Sequence, residues 1–401
     1  MKIAVYTIAL NEAHFIERWA KSCEEADYRL IVDTGSTDNT IEVAKSFGCS
    51  TASILVKPWR FDDARNAALM LLPDDIDYCI SLDADEILMP GWREAFDKLD
   101  PSVTRPRYKY VWSSNPDGSE RLTFGGDKIH KRHGYRWTHP VHEVLQPTLP
   151  EVVGWVDVDL RHYPDPTKSR SQYLGLLELS VKEDPNDDRN LFYLGREYMF
   201  NGMYDKAIEC LQKHLTLSSW PAERSTGMRY IARMSDDDKK EHWLLRACAE
   251  SPERREPWND LALFYHERGD MVSCLYASSR CIGIVTKPLE YLCEPEAWGS
   301  IPYDLAGVSA WNVGLKELGI EKTLIAQTMS PEDERIRTNV AMMYKDLRKN
   351  KVGAVIPSKS NINGLNKVVE LLLKEKSVKY IDIVCDGDDA YENIQKNLQF
   401  K

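Results

Sequence analysis

Between Lys2 and Gly91 the chain alternates short apolar runs with amphipathic stretches. Lys2–Thr7 reads as an apolar strand, and behind Leu10-Asn11-Glu12 the stretch Ala13–Cys23 spaces its apolar residues at helical intervals. Arg29–Asp33 reads as a second strand, running into Asp33-Thr34-Gly35-Ser36-Thr37-Asp38. Gly35 permits a tight turn there, Thr37 or Asp38 can cap a helix over Ile41–Phe47, and Gly48 closes that helix. A weak strand over Ser53–Val56 leads through Pro58-Trp59-Arg60 into a helix that begins near Phe61. The apolar run from Tyr78 then breaks off in Asp83, Asp85 and Glu86 before Pro90-Gly91 turns the chain. Strands and helices in alternation, with polar residues gathered where the strands end, predict a parallel α/β sheet whose ligand sits at its carboxyl edge.

Beyond this region the pattern changes twice. Val152–Asp159 alternates like a strand and runs into Arg161-His162-Tyr163. From Ser169 the period becomes helical: Leu194-Gly195-x-x-Tyr198, Gly202, Tyr204 and Ala207 return as Leu261-Ala262-x-x-Tyr265 and Gly269. The offset is close to two repeats of about 34 residues, the length of a tetratricopeptide unit. A degraded copy is expected around Met228–Ala249, and another beginning at Leu305-Ala306, after an insertion over Pro288–Pro302. Small residues at these positions let paired helices approach, and such arrays also present concave binding surfaces. After Asn350, Val352–Pro357, a helix near Leu365–Lys374 and Tyr380–Asp388 read as a further strand–helix–strand start. It is either a short αβ appendage or the opening of a second domain cut short, with Asp386 at a strand end.

Composition narrows the function classes. Apolar residues make up 43% and charged residues 29%, as in an ordinary globular protein. A net charge of −11 argues against a surface that binds nucleic acid or anionic membrane as a whole. The nine cysteines contain no Cys-x-x-Cys pair, which suggests reduced thiols and a cytoplasmic setting. Met1-Lys2-Ile3 starts directly as a strand, so no signal peptide is expected, and no apolar run reaches the roughly 20 residues of a membrane span. One region departs from the overall acidity. Arg105–Arg136 holds eight Lys or Arg against three Asp or Glu, interleaved with Tyr108, Tyr110, Trp112, Phe124 and Tyr135. It is either a β-region with solvated arginines or an electropositive, aromatic-lined floor for a diphosphate, a sugar or a polyanion.

The chemistry centres on Asp83 and Asp85. As strand residues two apart they would share one side of the chain. Buried carboxylates need compensation, and a hard divalent cation that also grips a diphosphate supplies it. Asn11-Glu12, Asp33-Thr34-Gly35-Ser36-Thr37-Asp38, Phe61-x-x-Ala64-Arg65-Asn66 and Leu82-Asp83-Ala84-Asp85-Glu86 occur in an order and spacing that resemble glycosyltransferase family 2. The nearest branch carries tetratricopeptide-like helices and includes peptide S-glycosyltransferases; lipopolysaccharide-core glucosyltransferases share similar motifs. One departure is Leu10, which stands where that branch has a basic residue.

The resemblance covers about residues 1–166 and implies a GT-A α/β nucleotide-sugar-binding domain. It would be followed by an all-α tetratricopeptide-like helical-hairpin domain over 167–349 and a short αβ segment over 350–401. It further implies an inverting transfer from a nucleotide-sugar donor, a UDP-sugar in the first instance, assisted by Mn²⁺ or Mg²⁺. On this reading Thr7, Asn11, Asp33, Arg65 and Asp83 would bind the nucleotide-sugar, Asp85 and His162 the metal, and Glu143 would be the catalytic base. Each has a plain structural alternative: Arg65 could pair with Asp62 or Asp63, Glu143 with Arg136 or Arg161, and His162 could be a packed core residue. The acceptor stays open between a protein or peptide, a glycan or lipid-linked glycan, and modified DNA held on the basic stretch. A catalytically silent nucleotide-sugar-binding scaffold, whose helices recruit a protein partner, is the remaining alternative.

Overall fold

A computed structural model describes residues 1–165, 173–348, 352–358, 371, 374 and 378–385. The helix expected near Leu365–Lys374 and Asp386 lie largely or wholly outside the described residues. The chain divides into two compact units, Met1–Phe264 with Ala277–Trp298, and Tyr265–Tyr276 with Gly299–Lys401.

The first unit opens with β1 (Ile3–Ala9), α1 (Ala13–Ser22), β2 (Tyr28–Asp33), α2 (Thr40–Ser46), β3 (Ser50–Ser53), α3 (Phe61–Met70) and β4 (Tyr78–Ser81). Next come β5 (Glu86–Leu88), α4 (Trp92–Asp97), β6 (Arg105–Ser114), β7 (Glu120–Gly126), β8 (Ile129–Lys131), β9 (Tyr135–Thr138), β10 (Val144–Pro147) and β11 (Val153–His162). The main sheet has the order β3-β2-β1-β4-β8, parallel except for β8, which runs antiparallel to β4. Strand β1 is central because it is apolar on both faces. Ile3, Val5 and Ala9 join one core cluster while Ala4 and Tyr6 join another on the opposite side. A second sheet has the order β5-β11-β6-β7, and β9 and β10 form a two-stranded ribbon.

Two local expectations shift. The third strand lies at Ser50–Ser53, short of Ser53–Val56, because β2 ends at Asp33 opposite Ser53 and offers no ladder beyond it. The strand before the paired carboxylates ends at Ser81, so Asp83 and Asp85 sit in a turn and not in a pleat. That turn is closed by the Glu86 amide donating to the Asp83 carbonyl (2.9 Å) and the Asp83 amide donating to the Glu86 carboxylate (2.8 Å). It carries the chain out of the main sheet and into the second one at β5.

Helices follow: α5 (Tyr173–Glu183), α6 (Asp188–Phe200), α7 (Tyr204–Leu217), α8 (Pro221–Arg233), α9 (Asp237–Glu250), α10 (Arg255–Glu267), α11 (Met271–Gly283) and α12 (Pro295–Trp298). The repeat pattern has a direct packing cause in the pair α6 and α7. A Cβ at Gly195 would lie 2.7 Å from Leu211 Cγ and 3.2 Å from the Ala207 carbonyl, so only glycine admits this approach. The degraded copy appears as α8 and α9. The segment before α12 returns to the second sheet: the Gly125 amide donates to the Leu289 carbonyl (3.3 Å), and Arg121 pairs with Glu296 (2.7 Å). Arg229 anchors this segment from α8, with two hydrogen bonds to Glu294 (3.0 and 2.7 Å) and one to Asp260 (2.8 Å).

In the second unit α13 (Ile301–Asn312), α14 (Lys316–Met329) and α15 (Glu334–Arg348) pack together, and β12 (Val352–Ser358) pairs in parallel with β13 (Val378–Cys385). Among the described residues no helix is long and apolar enough to cross a membrane.

The helices also carry a titration. Burial pushes the Glu223 carboxyl up to about 7, against a hydrogen bond from Tyr291 Oη (2.8 Å) and the nearby Arg189 charge, which favour its ionised form. The folded chain therefore keeps a proton that the unfolded chain releases above pH 4.5. This contribution to stability is complete below about pH 4.5 and is lost as the pH rises through about 7. We expect the melting temperature of Glu223→Gln to fall less between pH 5 and pH 8 than that of the natural chain. Parallel melting curves for the two proteins would show that Glu223 ionises normally.

Candidate active site

At the carboxyl edge of the main sheet one guanidinium joins two carboxylates that lie far apart in sequence. Arg65, on α3, is only 7% exposed. Its Nη2 pairs with Asp83 Oδ1 (2.8 Å), its Nε donates to Glu143 Oε1, and its Nη1 donates to Ser81 Oγ (3.0 Å). The expected alternative partner Asp62 is taken by Arg60 (2.9 Å), and Glu143 pairs with neither Arg136 nor Arg161 but with Arg65. The Trp137 ring lies 5.1 Å beneath the guanidinium.

A second cation on Asp83 was not foreseen. Lys128 Nζ donates to Asp83 Oδ2 (2.6 Å) and to Glu86 Oε1 (2.8 Å), while Tyr110 Oη also donates to Glu86. Burial alone would raise Asp83, but Arg65 and Lys128 outweigh it and hold the carboxyl well below the usual range. Burial likewise opposes the Lys128 charge, and Asp83 and Glu86 more than restore it. The sequence signal for Lys128 was the run of basic residues over 105–136, which did not single out one lysine.

Asp85 and His162 meet beside this pair, with His162 Nε2 3.4 Å from Asp85 Oδ2. His162 Nδ1 donates to the Trp112 carbonyl (3.1 Å) and its ring stacks on the Trp112 indole at 4.2 Å, so Nε2 is the nitrogen turned to the carboxylate. Burial lowers the His162 pKa, and Asp85 reverses that to a net rise. A carboxylate beside an oriented imidazole supplies two donors of the kind that hold a divalent cation such as Mn²⁺.

The remaining expected donor-site residues divide. Asp33 ends β2 and is 7% exposed; its carboxylate accepts from the Ser36 amide (3.0 Å) and the Gly35 amide (3.2 Å), Gly35 having φ +117°. Asn11, with φ +57°, ties this turn to the first one by accepting from the Thr37 amide (2.7 Å). Thr7, expected to line the crevice, is fully buried in β1 and bonds the Ile8 carbonyl (3.1 Å), leaving no surface for a ligand.

Glu143 stands at the end of a loop, His139–His142, that two separate parts of the chain clamp. From the sheet side, the Phe61 amide donates to the Pro140 carbonyl (3.0 Å), and Asn66 exchanges two hydrogen bonds with the Trp137 backbone (2.8 and 2.9 Å). These contacts give the Phe61-x-x-Ala64-Arg65-Asn66 motif a physical meaning: one helix face holds both the guanidinium and the loop it serves. From the helical side, Val141 packs with Leu177, Phe192 and Leu194, and Asn190 bonds His139 (3.1 Å). His142, strained at φ +52°, stacks on Tyr193 at 4.1 Å.

Replacing Lys128 by Met removes one of the two cations on Asp83 and leaves Glu86, which is 1% exposed, without its charged partner. We expect a loss of about 3 kcal/mol in denaturant unfolding, the lower end for a broken buried pair because Arg65 still faces Asp83. An unchanged midpoint would mean that solvent balances these carboxylates.

Residues 4–119 match the sequence profile of Glycosyl transferase family 2. An uncharacterized glycosyltransferase of Rickettsia bellii (strain RML369-C) is 33% identical over 109 residues, covering 27% of this chain and 35% of that protein. Another, of Rickettsia felis (strain ATCC VR-1525 / URRWXCal2), is 31% identical over 165 residues, covering 39% of this chain and 56% of its own length. The chain thus spans between about a third and just over half of these relatives. A solved structure of a thermophilic TPR protein from Thermus thermophilus is similar over 44% of this chain and 90% of its own, at 16% identity and a TM-score of 0.30. By the motifs, the sheet that positions them and the profile match together, residues 4–119 are a family 2 glycosyltransferase domain.

Proposed function

We propose that this chain transfers a sugar from a nucleoside-diphosphate sugar, a UDP-sugar in the first instance, to an acceptor hydroxyl or thiol, with inversion at the anomeric carbon. The observation that carries the reading is the link from Asp83 through Arg65 to Glu143, which holds a carboxylate next to the donor-side carboxylates without burying it unpaired. We read 1–166 as the transferase fold and the first helices of 167–349 as the support of its acceptor side.

On this reading Asp33 and the turn it organises receive the uracil and ribose, while Arg65 and Lys128 lie towards the diphosphate. A Mn²⁺ or Mg²⁺ held by Asp85 and His162 would offset charge on the departing nucleoside diphosphate. Arg65 occupies Oε1 of Glu143, and among the described residues no hydrogen bond reaches Oε2. That oxygen takes the acceptor proton as the acceptor atom bonds the anomeric carbon and the bond to the diphosphate breaks. One base on one side suffices for a single displacement, so no covalent sugar–enzyme intermediate is required.

A screen of nucleotide-sugars by thermal shift and hydrolysis, with and without Mn²⁺, tests the reading. We expect stabilisation by a UDP-sugar that EDTA removes, and loss of both effects in Asp85→Asn; full activity in EDTA would overturn the metal assignment. Glu143→Gln keeps an acceptor for Arg65 but removes the base. It should lower transfer by about 10²–10⁴-fold while leaving UDP affinity near that of the natural chain. A transfer rate unchanged in Glu143→Gln would remove it from the mechanism.

A further inference from the structure

We propose that the acceptor carries an anionic group, a phosphate ester or a carboxylate, which Arg189 and Arg196 of α6 bind beside the loop that holds Glu143. The proposal rests on the transferase reading above. Arg189, Tyr193 and Arg196 follow one another at steps of four and three residues and so share one face of α6. Tyr193 stacks on His142, the residue before Glu143. Both guanidinium carbons lie over the Tyr193 ring, at 4.9 Å for Arg189 and 4.5 Å for Arg196.

Both arginines of α6 lack an ionic partner: among the described residues neither has a carboxylate within ion-pair distance, and the Nε of each is buried with no hydrogen-bond acceptor. The arginines of the neighbouring helix α8 are satisfied: Arg229 and Arg233 share Asp260 and Glu294. In a chain of net charge −11, carboxylates are not scarce. Burial opposes the Arg189 charge, and Tyr193, Tyr291, Glu223 and Asp127 together more than restore it, although Tyr291 already engages the Glu223 carboxylate and neither carboxylate lies within ion-pair distance of Arg189. Leaving guanidinium N–H donors partly buried without an acceptor is unfavourable, and a planar guanidinium recognises oxyanions through two parallel hydrogen bonds. The pair therefore fits a negative group brought in by the molecule that Glu143 would deprotonate.

Phenyl phosphate, phenylacetate and the neutral phenyl β-glucoside serve as probes in calorimetric titrations of the full chain, with the donor site filled by UDP and Mn²⁺. One of the anions should bind at least tenfold more tightly than the glucoside, and which one does so separates a phosphate-bearing from a carboxylate-bearing acceptor. Arg189→Gln and Arg196→Gln should each weaken that anion at least tenfold, with UDP affinity and melting temperature as in the natural chain. Arg189→Lys keeps the stem and the charge should glutamine disturb packing, and it should still weaken the anion severalfold by losing the two-pronged contact. Anions that bind no better than the glucoside, or bind equally to both glutamine variants, would overturn the proposal. A natural chain that fails to bind UDP would instead count against the donor reading, and the same titrations without UDP would still decide this one.

Discussion

The structure around the candidate site depends on balancing the half-buried Asp83 and the buried Glu86 with fixed cations. Asp83 and Glu86 lie where the chain leaves one sheet for another, and an unpaired carboxylate there would cost several kcal/mol. Arg65 and Lys128 supply the balance from two different elements, α3 and the turn between β7 and β8. Their positions in turn fix Glu143 on one side and Tyr110 on the other.

The same guanidinium explains why helices follow the α/β domain so closely. Glu143 reaches Arg65 only because the loop before it is held in left-handed conformations at His139 and His142. Such conformations persist where packing over-determines them. Here the packing comes from Val141 in the helical core, from Tyr193 on His142 and from Asn190 on His139. The helices are thus part of the geometry of the loop before Glu143. The unpaired Arg189 and Arg196 on the helix that supplies Tyr193 extend that role from support to recognition.

The order of strands and helices and the pairing of Asp33 with its glycine turn could be read from the chain because both are local. Period-two and helical spacing decide which faces are apolar, and a strand-end carboxylate can meet amides two and three residues on. The Gly195 and Gly202 positions of the helical repeat were legible for the same reason, since a close helix approach and a left-handed turn each demand a small residue. Less local readings moved. Asp83 and Asp85 sit in a turn and not on one strand face, because Glu86 closes the chain back on Asp83.

Local spacing along the chain was enough to predict a parallel α/β sheet with carboxylates gathered at one edge and paired helices after it. It could not decide which cation meets which carboxylate, because Arg65, Asp83, Lys128 and Glu143 are brought together only by chain crossings between separate sheets and loops. Among eight basic residues between Arg105 and Arg136, nothing local marked Lys128; its role follows from β8 pairing antiparallel to β4, which sets the turn before it beside Asp83. Likewise no spacing in the chain ties Tyr193 to His142. That contact exists because the tertiary structure packs the first helices against the loop beside Glu143.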